Sequence, residues 1–306
     1  MLWMILAVAA LATLGILFAA VYFADALTGG RRTRVQGTPA DLGLRYEEVQ
    51  FLTADRLTLR GWFLESPGAR ATVVLVHESG STRADRERGL LRLQRDYVRR
   101  GFSVFAFDLR AHGESGGKRD TLGLQERLDV QAAVAYVRRR SGRTPILLHG
   151  FGYGAALAID AVARGVDVAG IIADSPFATM RSFLRASHRH VPTPVFQASV
   201  WVARRLFGSD PSALNPIRSI EKVHVPVLFV HSQVDDVIPA SHTLNLSAAS
   251  LDPRMRVWIV DDHVGHGTAY SDEPEAYMRR CLQFIDEVVP ARTLFAVPSA
   301  TVSEAV

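Results

Sequence analysis

The chain has 306 residues, 48% of them apolar, which is enough for an extra segment plus one large α/β domain of about 250 residues. Its net charge of +4 rests almost wholly on arginine, since lysine occurs only at Lys118 and Lys222, and the acidic residues are interspersed among the arginines. That pattern excludes a nucleic-acid surface built on a long basic run.

The first element is an uncharged apolar stretch over 2–24, about 23 residues, long enough to span a bilayer as a helix. Trp3 and Tyr22 lie near its two ends, where interfacial aromatics sit. Ala24-Asp25-Ala26 is a weak A-x-A cleavage site, but the stretch has no basic n-region and a long apolar run, so an uncleaved anchor is expected. Arg31, Arg32 and Arg34 follow the span and no lysine or arginine precedes it, which places the globular domain on the cytoplasmic side by the positive-inside rule. Residues 29–43, with Gly, Thr, Pro and Arg, read as a linker.

Beyond the linker, apolar runs alternate with helical patterns. Strands are expected at 46–53 and 57–64, an antiparallel start, then at 72–77, 103–108, 145–149, 168–174, 227–231 and 256–260. Helices are expected at 84–100, 124–140, 154–164 and 273–288, with another starting near Ser241. Continuous apolar strands such as TVVLVH are those of a sheet buried on both faces, so the fold class is α/β, with a mostly parallel sheet covered by helices. In such sheets the sites lie at the carboxyl ends of the strands. The segment 176–225 interrupts the alternation and carries an amphipathic pattern at Phe196, Val200, Trp201, Leu206 and Phe207, which suits either a lid over an apolar substrate or a helix on the sheet edge. Residues 290–306 read as a tail.

The chemistry-bearing residues fall at strand ends. His77-Glu78-Ser79-Gly80-Ser81 ends one strand, and Asp108 to Ser115, with His112, ends the next. Residues 146–156, ILLHGFGYGAA, have the shape of a G-x-S-x-G nucleophile elbow with glycines at Gly150 and Gly154, but Gly152 stands where the serine belongs. Asp235 and Pro239 close another strand end, and Gly265-His266 follows the last strand. Asp236 and His263 are neighbouring alternatives to Asp235 and His266, and Asp235 also suits an N-cap of the helix near Ser241. Cys281 is the only cysteine, so no intrachain disulfide can form, and there is no CxxC or HExxH zinc pattern. His188 and His190, an H-x-H, read as part of a polar loop.

Five such motifs in this order resemble the α/β-hydrolase superfamily over 45–288, and most closely its serine aminopeptidase S33-type and Bem46-like esterase branch. The resemblance implies an α/β-hydrolase fold with a short lid at 176–225, Asp235 as the triad acid, His266 as the base and His112 in a structural loop, the family's D-x-R-G-H-G-x-S being matched except at Ala111. It implies an oxyanion-hole region around Glu78, Ser79 and Tyr153, and no cofactor or metal.

Acyl transfer needs a nucleophile, a base to take its proton and a carboxylate to orient the base. Gly152 has no side chain and cannot be that nucleophile, although its φ freedom suits the elbow. Glu78 stands where the family's oxyanion loop has glycine, and a carboxylate there opposes an oxyanion unless it points away or pairs, for example with Arg83. The expected function is a membrane-anchored α/β-hydrolase of the serine ester and acyl hydrolase lineage that is catalytically impaired. The alternative is an active hydrolase using a His266-activated water, or Ser79 or Ser81, on acyl ester, thioester or peptide substrates. The expected partners are a hydrophobic acyl molecule or lipid and, through the N-terminal helix, a membrane, but no nucleic acid.

Overall fold

A computed structural model describes residues 1–30, 32–260 and 264–289. Arg31, the alternative base His263 and the tail at 290–306 lie outside the described residues. The apolar N-terminal stretch is a helix, α1 (Leu2–Thr28), and it is the one helix among the described residues long and apolar enough to cross a membrane. By length and composition it could serve as an anchor or as a signal sequence. A short 3-10 helix (Pro39–Leu42) follows.

Two antiparallel strands, β1 (Glu47–Leu52) and β2 (Thr58–Leu64), open the sheet. Then come β3 (Thr72–Val76), α2 (Leu90–Arg99), β4 (Ser103–Phe107), α3 (Glu126–Ser141), β5 (Ile146–Phe151), α4 (Tyr153–Ala163) and β6 (Gly170–Asp174). Three helices, α5 (Met180–Ser187), α6 (Thr193–Leu206) and α7 (Pro216–Ser219), fill the interrupting segment. The chain ends with β7 (Val227–Ser232), α8 (Ser241–Ala249), β8 (Arg256–Val260), α9 (Ala269–Asp272) and α10 (Pro274–Val288). The eight strands form one sheet in the order β1-β2-β4-β3-β5-β6-β7-β8, antiparallel at β1 and β2 and parallel from β4 to β8.

Every residue of β3, β4, β5, β6 and β7 is buried, which explains their unbroken apolar runs: both faces of the sheet are covered. One core holds Phe105, Phe107, Leu148 and Phe229 on one face, and a second holds Trp62, Leu75, Tyr277 and Phe284 on the other. One boundary differs from expectation. The helix expected over 84–100 begins only at Leu90, because Asp85 Oδ1 accepts the Arg88 N–H at 3.0 Å in a tight turn and Gly89 adopts a left-handed φ of 66°. The 29–43 stretch is fastened to the domain: the Arg32 guanidinium donates to the carbonyls of Ser115 at 2.8 Å and Gly117 at 2.6 Å, and Thr33 Oγ1 donates to that of Gly80 at 2.6 Å.

Candidate active site

Four strand ends converge on one point. The turn from β5 into α4 is a single residue, Gly152, with φ 46° and ψ −104°. Side chains rarely adopt that backbone, so glycine is the residue it costs least. The Gly152 N–H donates to the Asp174 carbonyl at 2.8 Å, which ties the elbow to β6. A β-carbon on Gly154 would lie 2.2 Å from the Val76 carbonyl oxygen, so only glycine lets α4 approach β3 this closely. Beneath the elbow the buried ring of His149 bonds the Tyr97 hydroxyl at 3.0 Å and the Tyr277 hydroxyl at 2.8 Å, and Tyr277 donates on to Asp174 at 2.9 Å.

The loop after β3 is held by two histidines. His77 Nε2 accepts the Leu109 N–H and His112 Nε2 accepts the Gly80 N–H, each at 2.9 Å. The other ring nitrogens meet carbonyls, His77 that of Glu78 at 2.7 Å and His112 that of Arg110 at 2.8 Å. Burial lowers both pKa values, that of His77 to about 3, so both rings are neutral with Nδ1 donating and Nε2 accepting. His112 is thus a fastening of the loop. Ala111, where the family pattern has glycine, takes a left-handed φ of 59°.

Glu78 neither points away from the elbow nor pairs with Arg83, so neither of the two escapes from opposing an oxyanion applies. Arg83 is engaged by Asp108 and Glu114 and lies 4.3 Å over the Trp62 ring. The Glu78 carboxylate instead turns into the elbow. A β-carbon built on Gly152 would lie 1.4 Å from Glu78 Oε2, so the carboxylate occupies the volume into which a side chain at 152 would project. Its Oε1 accepts the Ser79 N–H at 2.6 Å and the Tyr153 N–H at 3.0 Å, and the Tyr153 N–H also reaches Oε2 at 3.1 Å. These two amides thus hold the protein's own carboxylate.

His266 stands on the other side. Its Nδ1 donates to Asp235 Oδ2 at 2.7 Å and its Nε2 faces Glu78 Oε2 at 3.4 Å. Asp235 is buried and does not cap α8; its Oδ1 accepts the N–H groups of Val237 at 2.9 Å and Ile238 at 2.7 Å, and Oδ2 lies 3.3 Å from His231 Nε2. Asp236 is exposed. Burial opposes charge on His266, but the hydrogen bonds to Asp235 and Glu78 and their charges outweigh it and raise its pKa to about 10. Burial also opposes charge on Glu78, yet the bond to His266 and the Arg88 charge hold its carboxyl below the usual range. The resting site is therefore a carboxylate–imidazolium–carboxylate row, with no free base at neutral pH. The Ser81 hydroxyl is turned to Asp85 Oδ2 at 2.5 Å.

In front of Glu78 and His266 lies a cavity of about 350 Å³. Its walls include Ser79 and Asp120, the apolar Met180 and Phe183 of α5, and Ala26 and Leu27 of α1. That last contribution was not foreseen from the sequence. Asp120 bonds the Tyr153 hydroxyl at 3.1 Å, and burial together with the Glu126 charge raises its pKa to about 8. His188 also lines the cavity; its Nδ1 meets the Leu184 carbonyl at 3.0 Å and its ring packs edge-on against Phe23. No group of three or more metal-ligating His, Cys, Asp or Glu side chains occurs among the described residues.

Residues 67–211 match the family model described as serine aminopeptidase, S33. The chain is 30% identical over 247 residues to the YfhR protein of Escherichia coli K12, covering 78% of this chain and 80% of that protein. It is 28% identical to the bem46 protein of Schizosaccharomyces pombe, covering 71% of this chain and 69% of that one. An esterase of Pyrococcus furiosus superposes with a TM-score of 0.71 at 23% identity, over 86% of this chain and 98% of that chain, a likeness of fold.

Proposed function

Because the chain belongs to the S33-type α/β-hydrolase family, we propose that it is a membrane-anchored member in which serine-type acyl transfer has been lost and the site is kept for a lipophilic ligand. The observation that carries this reading is the Glu78 carboxylate, seated where the nucleophile would project and on the amides that would receive the oxyanion. An acyl carbonyl entering the site meets a negative charge where it would develop its own. The protonated state of His266 removes the base that a directly attacking water would need. The Ser81 route is disfavoured by its turn toward Asp85.

Two features support the anchor. Ala24, in the weak cleavage site, is fully buried, and α1 contributes to the cavity wall, so cleavage there would remove part of the folded domain. The arginines after the span favour a cytoplasmic domain. The apolar wall of Met180, Phe183 and Leu27 favours an acyl chain or lipid as ligand.

A fluorophosphonate probe that reacts with activated serines tests the reading. The full chain in detergent should take no label at a rate above that of the heat-denatured protein. Stoichiometric labelling of Ser79 or Ser81, abolished by His266→Ala, would contradict it.

A further inference from the structure

We infer that the cavity binds an amphiphile with a protonated amine head, the ammonium seated on Asp120 and the apolar body lying along Leu27, Met180 and Phe183. The inference rests on the lipophilic-ligand reading above and names the head group which that reading leaves open.

Asp120 is built into the cavity wall from three sides. Its N–H donates to the Thr28 carbonyl at the end of α1 at 2.9 Å. Its carbonyl accepts the Ser209 hydroxyl at 2.9 Å. Its Oδ1 accepts the Leu122 N–H at 2.7 Å and the Tyr153 hydroxyl at 3.1 Å. The residue is only 6% exposed, yet nothing among the described residues donates to Oδ2. One oxygen of a buried, immobilised carboxyl group is thus left for whatever fills the cavity. A buried polar atom lacking a partner is unfavourable, and a ligand that donates to it is favoured.

The charge on the wall selects the donor. Among the described residues lining the cavity there is no lysine or arginine, and two carboxyl groups, Glu78 and Asp120, accompany the His266 imidazolium. His266 is already shared between Asp235 and Glu78. The Ser79 and Tyr153 amides, which an anionic head could use, are occupied by Glu78. α1 ends at the same wall, with Ala26 and Leu27 in its last turn, and the carboxyl end of a helix carries partial negative charge. Each of these features favours a cation that donates hydrogen bonds.

The groups around Asp120 also set how binding responds to pH. Tyr153 of α4 and Glu126 and Asp129 of α3 act on its carboxyl, and Glu78, His112, His188 and His266 stand elsewhere on the cavity wall. From α1 it meets a carbonyl, and the adjacent Arg119 is held by Asp25. Burial and the Glu126 charge raise its pKa to about 8, so without ligand the carboxyl is mostly protonated at pH 7. The arriving ammonium displaces that proton to solvent, and the bound state is an ammonium–carboxylate pair.

The test is titration calorimetry on the full chain in neutral detergent, with 4-phenylbutylamine, 4-phenylbutanol and 4-phenylbutyrate as probes. The amine should bind at least ~10-fold more tightly than the alcohol or the acid. Heats compared in phosphate and HEPES should show about one proton released per amine bound at pH 7. Affinity should rise about ten-fold from pH 7 to pH 9, the amine itself staying charged. Asp120→Asn, whose amide oxygen can keep the Leu122 and Tyr153 bonds, should lose both the preference for the amine and the proton release. Equal binding of amine and alcohol, no proton release, or undiminished amine binding by folded Asp120→Asn would each overturn the inference. The first two need only the wild type, so they decide even where the variant does not fold. Tight binding of the alcohol or the acid in place of the amine would remove the amine head and leave the lipophilic-ligand reading standing. Failure of all three probes to bind would remove both, and serine labelling would remove only the earlier loss of acyl transfer.

Discussion

At the scale of single residues, the candidate site is organised by the charge row of Asp235, His266 and Glu78. His266 has its pKa raised in the folded chain from 6.5 to about 10. Its protonation therefore stabilises the fold fully below pH 6.5, and that contribution disappears as the pH rises through about 10. The pKa values of Glu78 and Asp235 are lowered, so their contributions are present at neutral pH and are lost on acidification. The difference in Tm between the wild type and His266→Gln should shrink steadily from pH 6.5 to pH 10. A difference independent of pH over that range would mean that His266 is neutral in the folded protein. The sequence announced the residues of this row but not its geometry. Asp235 and His266 could be picked out because they stand where the motifs of the resembled family carry its acid and its base. The direction of the Glu78 side chain depends on how closely the β3 and β5 ends approach, and the sequence holds no local sign of that.

At the scale of elements, the fully buried strands were legible because a strand covered on both faces must be apolar throughout. The first turns of the expected 84–100 helix were not, because Asp85 and Gly89 impose a turn that the apolar pattern does not record. The packing of α1 was hidden for a different reason. In a helix that is apolar on all sides, hydrophobicity marks no face. Its buried residues, Ala20, Ala24 and Thr28, are small and four apart, and Ala20 and Ala24 meet Val202 and Ala203 of α6. Ala24→Leu should overpack this contact and destabilise the protein by ~1–3 kcal/mol in detergent. Val8→Leu, at a position 66% exposed, should change stability by less than about 0.5 kcal/mol. Equal effects would show that α1 does not dock on α6 in solution.

At the scale of the whole molecule, α1, if it serves as the proposed anchor, would join the candidate site to a membrane. Its first two-thirds stand exposed and apolar, its last turns line the cavity, and Asp25 is held by the Arg119 guanidinium at 2.6 Å. Exposed Trp201 and Leu206 on α6 extend the apolar surface beside it. A ligand dissolved in the bilayer would meet the cavity without crossing water, and studies of the site require the full chain, since removal of residues 1–30 would take away one wall. The proposed loss of acyl transfer would rest on two elements, the β5–α4 elbow and the loop after β3. Restoring the serine alone cannot succeed, because a β-carbon at Gly152 collides with Glu78. The most direct test is p-nitrophenyl octanoate hydrolysis by the full chain, Gly152→Ser, Glu78→Gly and the double variant. The wild type and both single variants should be silent, and the double variant should gain at least ~100-fold activity, lost again with His266→Ala. Hydrolysis by the wild type that depends on His266 and survives in Glu78→Gly would contradict the proposed loss.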